Sequence, residues 1–238
     1  MAQQKTFTSG KTGPIILYRW RDRQCMRTKP GKVRQTAATK KRSSNFGIAS
    51  RASKITRMYL SDILSYMDGT RHNRITSAYI NWLKGINISD IPAGEMDYLK
   101  GLPLNPPKTA GNKWADQFTI SRNSEGLYIS IKDLIPSNIM SVPKDTDTIK
   151  LTISSMILDL NDPNRNNVVT SIFSIPLSGM PASTVQHNLA VAPGSILLSG
   201  FAIECKDRHG GDADLRKGYV LPAEIVYAEW MGRADHRQ

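Results

Sequence analysis

The chain has 238 residues, a formal net charge of +12, two cysteines and 39% hydrophobic residues. That is enough length and apolar content for a buried core without disulfide or metal staples, and too few cysteines for a dense disulfide scaffold. The charge is local: the first 60 residues hold fifteen Lys and Arg against one acid, Asp22, while the other 178 hold seventeen bases and nineteen acids.

The opening MAQQKTFTSGKTGP lacks the apolar stretch of a secretory signal, and no run reaches the ~18 uninterrupted apolar residues of a membrane span. The expectation is synthesis in a cytoplasm, with a place in an exported or virion-like assembly left open. Residues 1–13 read as a polar leading arm. Pro14 to Trp20 reads as a strand, Arg21-Asp22-Arg23 as a polar turn, and Gln24 to Thr28 as a return strand, giving a small basic hairpin. Lys29-Pro30-Gly31-Lys32 then breaks the chain.

A helical pattern follows from about Thr36 to Met67. Ile48, Ala52, Ile55, Tyr59 and Ile63 fall on one side of it, Lys54 and Arg57 roughly opposite, and Arg51 on the flank. Gly47 weakens that helix, and Asp68-Gly69 closes it. A second helix is predicted after Asn73 as N-cap, with Ile75, Ala78, Tyr79, Trp82 and Leu83 as its apolar stripe and Gly85 at its end. The two helices should pack as a helical hairpin, completing a basic module over residues 14–85.

Residues 86–116, broken by Pro92, Gly94, Gly101, Pro103, Pro106, Pro107 and Gly111, read as a connector. After it the period falls from 3.6 to 2. Strands are predicted at Phe118 to Ser121, Leu127 to Ile131, Thr148 to Leu160, Asn167 to Ile175, Ser195 to Ile203 and Tyr219 to Trp230. Turns lie at Asn123 to Gly126, Asp162-Pro163-Asn164, Pro176 to Pro181 and His209 to Asp212. Residues 117–238 are therefore expected to form an antiparallel, immunoglobulin-like β-sandwich, and the whole chain an α+β protein.

Catalytic constellations are weak. Gly10-Lys11-Thr12 resembles the tail of a phosphate-binding loop, but Lys5 stands where that loop needs Gly, and a strand follows where it needs a helix. There is no G-x-S-x-G, and His72, His187, His209 and His236 fall in predicted loops or at the chain end, where they read as solvated. Cys205, His209, Asp212 and Asp214 match no strong zinc or calcium spacing, and HGGDAD reads as a polar hairpin loop. Asp145 and Asp147 read as a hydrophilic turn. Cys25 and Cys205 read as a reduced pair. No catalytic residue, cofactor or metal is expected.

The basic block remains. Arg19, Arg21, Arg23, Arg27, Lys29, Lys32, Arg34, Lys40, Lys41, Arg42, Arg51, Lys54 and Arg57 are the candidate contacts to a polyanion or to an acidic protein surface. Tyr18 and Trp20 among these arginines make base stacking conceivable. Two readings follow: a non-enzymatic subunit of a homomeric assembly (filament, appendage or virion-like) that assembles through this region, or a nucleic-acid-binding protein that uses it.

Gly10, Lys11 and Gly13, then Tyr18, Trp20 and Arg21, then Met26, Arg27 and Pro30, then Thr36 and Ala38 reproduce a G-K-x-G, Y-x-W-R, M-R, P and T-x-A series. In this the first 60 residues resemble a domain family of unknown function common in Bacteroidota, with a looser match at Arg42 and Phe46. The resemblance implies a β-rich second half and transfers no catalytic residue.

Overall fold

The computed structural model describes residues 9–29, 31, 35–61, 68–84, 86–105, 114–123, 126–212 and 221–232. The chain divides into two compact units, Met1–Lys40 and Lys41–Gln238.

The first unit holds an antiparallel sheet in the order β1 (Gly10–Thr12), β2 (Ile15–Trp20), β3 (Arg23–Thr28). The β2–β3 hairpin forms where the sequence predicted it. Two-residue turns join the strands, at Gly13-Pro14 and Arg21-Asp22. Gly13 has φ 57° and Arg21 φ 54°. A positive φ at the first turn position alone is the type II′ pattern, which matches the twist of the flanking strands. Gly10–Thr12, expected within a free leading arm, instead folds back on β2, with Gly10 opposite Leu17. The rest of the expected arm, residues 1–8, lies outside the described residues.

Helix α1 (Ala37–Leu60), all but its first turn in the second unit, begins after Thr36, whose Oγ1 accepts the Thr39 amide at 3.2 Å. Helix α2 (Arg71–Trp82) starts two residues before the predicted cap, so Asn73 sits inside its first turn. Asp68 determines that start: its Oδ1 accepts the Thr70 amide and hydroxyl, both at 2.8 Å, and its other oxygen pairs with Arg74. Ala49, Ala52, Ile55 and Leu60 of α1 meet Ile75, Ala78, Tyr79 and the following Leu83 in one apolar cluster, the expected helical hairpin. Ile63 and Gly85 lie outside the described residues.

The rest of this unit is antiparallel. Its strands are β4 (Gly94–Glu95), β5 (Leu102–Pro103), β6 (Phe118–Arg122), β7 (Gly126–Ile131), β8 (Thr148–Asp159), β9 (Asn167–Pro176), β10 (Ser183–Asn188), β11 (Ser195–Lys206) and β12 (Ala223–Trp230), with a short helix α3 (Pro136–Ile139) after β7. They form a small sheet, β10-β7-β6, and a large one, β4-β12-β11-β8-β9, with β5 also on β12. The 86–116 segment is thus more than a connector, because it places two short strands on β12.

β8 and β11 are buried along nearly their whole length. Their alternate residues serve two cores. Ile149, Leu151 and Ile153 with Phe201, Ile203 and Cys205 face Ile129 and Ile131 of the small sheet. Met156, Leu158, Ile196 and Leu198, with Ile225 and Trp230 of β12, face the helices. A sheet covered on both sides needs apolar residues on both, which is why these strands read as almost continuous hydrophobic runs. The second unit is α+β: two antiparallel sheets packed face to face, with a helix pair on the outer face of the larger. No helix among the described residues is long and apolar enough to cross a membrane.

Candidate polyanion or partner interface

Period-2 alternation assigns the side chains of the first unit's sheet to two faces. Tyr18 pairs with Cys25, Trp20 with Arg23, Ile16 with Arg27 and Lys11. One face therefore carries Lys11, Ile16, Tyr18, Trp20, Arg23, Cys25 and Arg27. The other carries Ile15, Leu17, Arg19, Gln24, Met26 and Thr28. Tyr18 is 39% and Trp20 58% exposed on the first face, and Met26 is 70% exposed on the second. None of the described residues in 9–31 is buried.

The basic groups are arranged around the aromatic rings. The Arg21 guanidinium lies 5.0 Å from the Trp20 ring centre, and that of Arg27 lies 5.8 Å from the Tyr18 ring. Arg19, on the opposite face, pairs with Asp22 at 3.1 Å and donates to the Arg21 carbonyl at 2.8 Å. The only acid among the first 60 residues is thereby already engaged. Lys29 is exposed. Lys32 and Arg34 lie outside the described residues.

Lys40, Lys41 and Arg42 are exposed in the early turns of α1, whose first turn holds no acid. The helix dipole is positive there, so these cations are held where their own helix disfavours them and an outside anion would be favoured. Further along, Lys54 is exposed. Arg51 is exposed and its Nη1 reaches the Leu160 carbonyl at 3.4 Å. Arg57 is half-buried, with its Nε enclosed and without a hydrogen-bond partner. The described candidates thus separate into a group in or just after the sheet, a helix-start group, and a later group of which Arg57 is turned inward.

Two of the histidines, His72 and His187, depart from expectation. His72 is an exposed residue of α2, not of a loop. His187 is fully buried on β10, a strand the sequence did not announce. Its Nδ1 lies 2.7 Å from Ser155 Oγ and its Nε2 lies 2.9 Å from Ser171 Oγ; Ser155 in turn donates to Ser199 at 2.9 Å. A serine against an imidazole resembles a nucleophile and base, but the group on the far nitrogen is a hydroxyl where a triad needs an acid, and the cluster lies between the two sheets. Burial pushes the His187 pKa down, which suits a neutral ring joining the sheets.

His209 is exposed in a loop held by Asp207, whose Oδ1 accepts the amides of His209 and Gly211. Cys205 faces the core, and burial pushes its thiol up. Cys25 and Cys205 are both free. Asp214 and His236 lie outside the described residues, and among the described ones no three His, Cys, Asp or Glu side chains gather as metal ligands. A shallow cleft of about 420 Å³ beside β6 and β12 is lined by Glu95, Lys100, Asp116, Phe118, Glu224 and Tyr227. Glu95 and Lys100 pair there at 2.7 Å.

No protein-family model, curated protein or solved structure matches this chain.

Proposed function

We propose that this chain is a non-enzymatic structural subunit of a homomeric assembly (filament, appendage or virion-like shell), joined through its basic N-terminal region. The observation that carries the reading is the first unit's sheet. It has three short strands, large apolar side chains on both faces and no buried residue. A sheet of that size needs a packed face for stability, so a surface on a neighbouring subunit would complete it. Its G-K-x-G and Y-x-W-R segments, which carry the resemblance to the Bacteroidota domain family, build β1, its turn and β2.

The body is read as immunoglobulin-like. In sheet order the strands β6-β7-β10 face β9-β8-β11-β12, and the chain changes sheet after β7, after β9 and after β10. It lacks the antibody-type hallmarks: β8 carries no Trp and β7 no Cys. Electron microscopy and sedimentation of the full chain beside W20A/M26A test the assembly reading. Particles larger than one subunit that dissociate on this double substitution support it. Monomers of both proteins over a broad concentration range reject it.

A second reading is favoured by one specific arrangement. Lys11, Tyr18, Trp20, Arg23 and Arg27 share a face, which is the combination of stacking platforms and backbone-neutralising cations that single-stranded nucleic acid requires. Binding of a labelled single strand at low salt tests it, and no binding there removes it. Both readings hold together in a shell protein whose N-terminal region faces packaged nucleic acid.

A further inference from the structure

We infer that β9 is a self-association edge, pairing antiparallel with β9 of a second copy so that two large sheets become one. This deepens the homomeric reading but rests on a different surface from the basic N-terminal region.

β9 is the last strand of the large sheet, and among the described residues no strand pairs with its outer edge. The opposite edge of the same sheet is covered, since β4 and β5 lie on β12. Exposed edges are ordinarily blunted by charge, proline, a bulge or short length. β9 has none of these over most of its length. Its sequence, NVVTSIFSIP, holds no charged residue and has Pro only at its end. It spans ten residues, and its register with β8 is continuous from Asn167 opposite Ile157 to Pro176 opposite Thr148.

The side chains fit a pairing surface. Val169, Ser171, Phe173 and Ile175 face the small sheet; on the other face Val168 packs against the helix-side core, and Thr170, Ile172 and Ser174 are exposed. Ile172, near the middle of the strand, is 62% exposed.

Charge selects the occupant. The basic leading segment would find no counter-charge on β9, whereas an uncharged strand meets its own copy without like-charge opposition. Antiparallel pairing about a two-fold axis is self-complementary and closes at two subunits. It sets β-branched and hydroxyl side chains against each other along about 34 Å of edge.

The test uses the full chain, with Ile172→Lys and Ser174→Lys placed together on the exposed face. Sedimentation equilibrium and amide exchange of β9 are followed over a concentration series. The inference expects unsubstituted β9 amides to exchange more slowly as concentration rises. It expects I172K/S174K to remove that dependence and weaken dimerisation about tenfold or more, because paired edges would oppose lysines. Exchange independent of concentration, or association unchanged in the folded variant, overturns it. W20A/R27A separates the two surfaces. If that variant abolishes association while β9 exchange never depends on concentration, the N-terminal reading stands and this inference falls. If only I172K/S174K abolishes association, the reverse holds.

Discussion

His187 on the small sheet and Ser155 on the large sheet are joined by a 2.7 Å hydrogen bond from the imidazole Nδ1. Ser155 donates onward to Ser199, so its oxygen accepts the Nδ1 proton and Nε2 accepts from Ser171. All the partners are hydroxyls. The charged groups on the neighbouring strands, Lys150 and Asp159 of β8 and Glu204 and Lys206 of β11, are paired elsewhere. A proton on this ring would therefore be buried without a counter-charge, which is why its pKa lies below the ordinary 6.5.

The sign of the pH effect follows. Between the lowered folded value and 6.5 the unfolded chain binds the extra proton, so stability falls as pH drops below about 6.5. The urea midpoint of the full chain should be constant at mildly alkaline pH and decline from there toward pH ~5.5. The Glu204 carboxylate, held below its usual range by Lys206 and Lys150 against its burial, loses its contribution only at lower pH. His187→Gln should lower stability at neutral pH and flatten the decline. A decline of equal slope in that variant would assign it to another group.

Gly126 and the backbone of His187 give a steric prediction. A Cβ at Gly126 would lie 2.3 Å from the His187 carbonyl oxygen and 3.1 Å from Asn188 Cα. Both obstacles are backbone, fixed by the pairing of β7 with β10. Gly126→Ala should cost about 3 kcal/mol in urea unfolding. Gly47 is the opposite case. It lies within α1, a Cβ there meets nothing within 4 Å, and its φ is not positive. Gly47→Ala should stabilise by roughly 0.5–1 kcal/mol.

These two glycines show what the sequence carried. Local chemistry announced α1, α2, the β2–β3 hairpin and β8, since each has an apolar period or a turn signal of its own. β10 had neither: STVQHN contains one strong strand former, Val185, and becomes a strand because β7 offers it an edge. His187 was unreadable for the same reason, as its partners Ser155, Ser171 and Ser199 lie on three other strands. β4 and β5 are two residues each, below the length at which alternation shows. In the basic region the charge was legible but its distribution was not. Strand register separates Arg19 from Arg23 and Arg27, and packing turns Arg57 inward.

The buried contact between helices is a further test. Thr56 Oγ1 and Tyr79 OH lie 2.7 Å apart, and both residues are fully buried. Tyr79 also meets Trp82 edge-on, and Trp82 meets Trp230 of the large sheet with ring centres 5.4 Å apart. Tyr79→Phe keeps that ring contact and orphans the Thr56 hydroxyl, costing about 1–2 kcal/mol. Thr56→Val in the same chain should cost less than it does alone, because the two losses are one interaction. Strict additivity in thermal or urea unfolding would show the hydroxyls to be independent.

The aromatic and basic face of the N-terminal sheet separates the two functional readings by salt. If it binds single-stranded nucleic acid, each arginine that neutralises a phosphate contributes about 0.7 to the slope of log affinity against log salt. Arg23→Ala and Arg27→Ala should each reduce that slope by about this amount. Trp20→Ala should lower affinity by roughly 1–3 kcal/mol and leave the slope intact, because stacking releases no counterion. If the face instead completes itself on a neighbouring subunit, the labelled strand is not retained at low salt. Trp20→Ala then changes the sedimentation of the protein alone, and more strongly than Arg23→Ala, since the 58% exposed indole is the most exposed large apolar side chain on that face. Fluorescence anisotropy of the strand and sedimentation of the protein, run on the same three variants, give opposite patterns for the two cases.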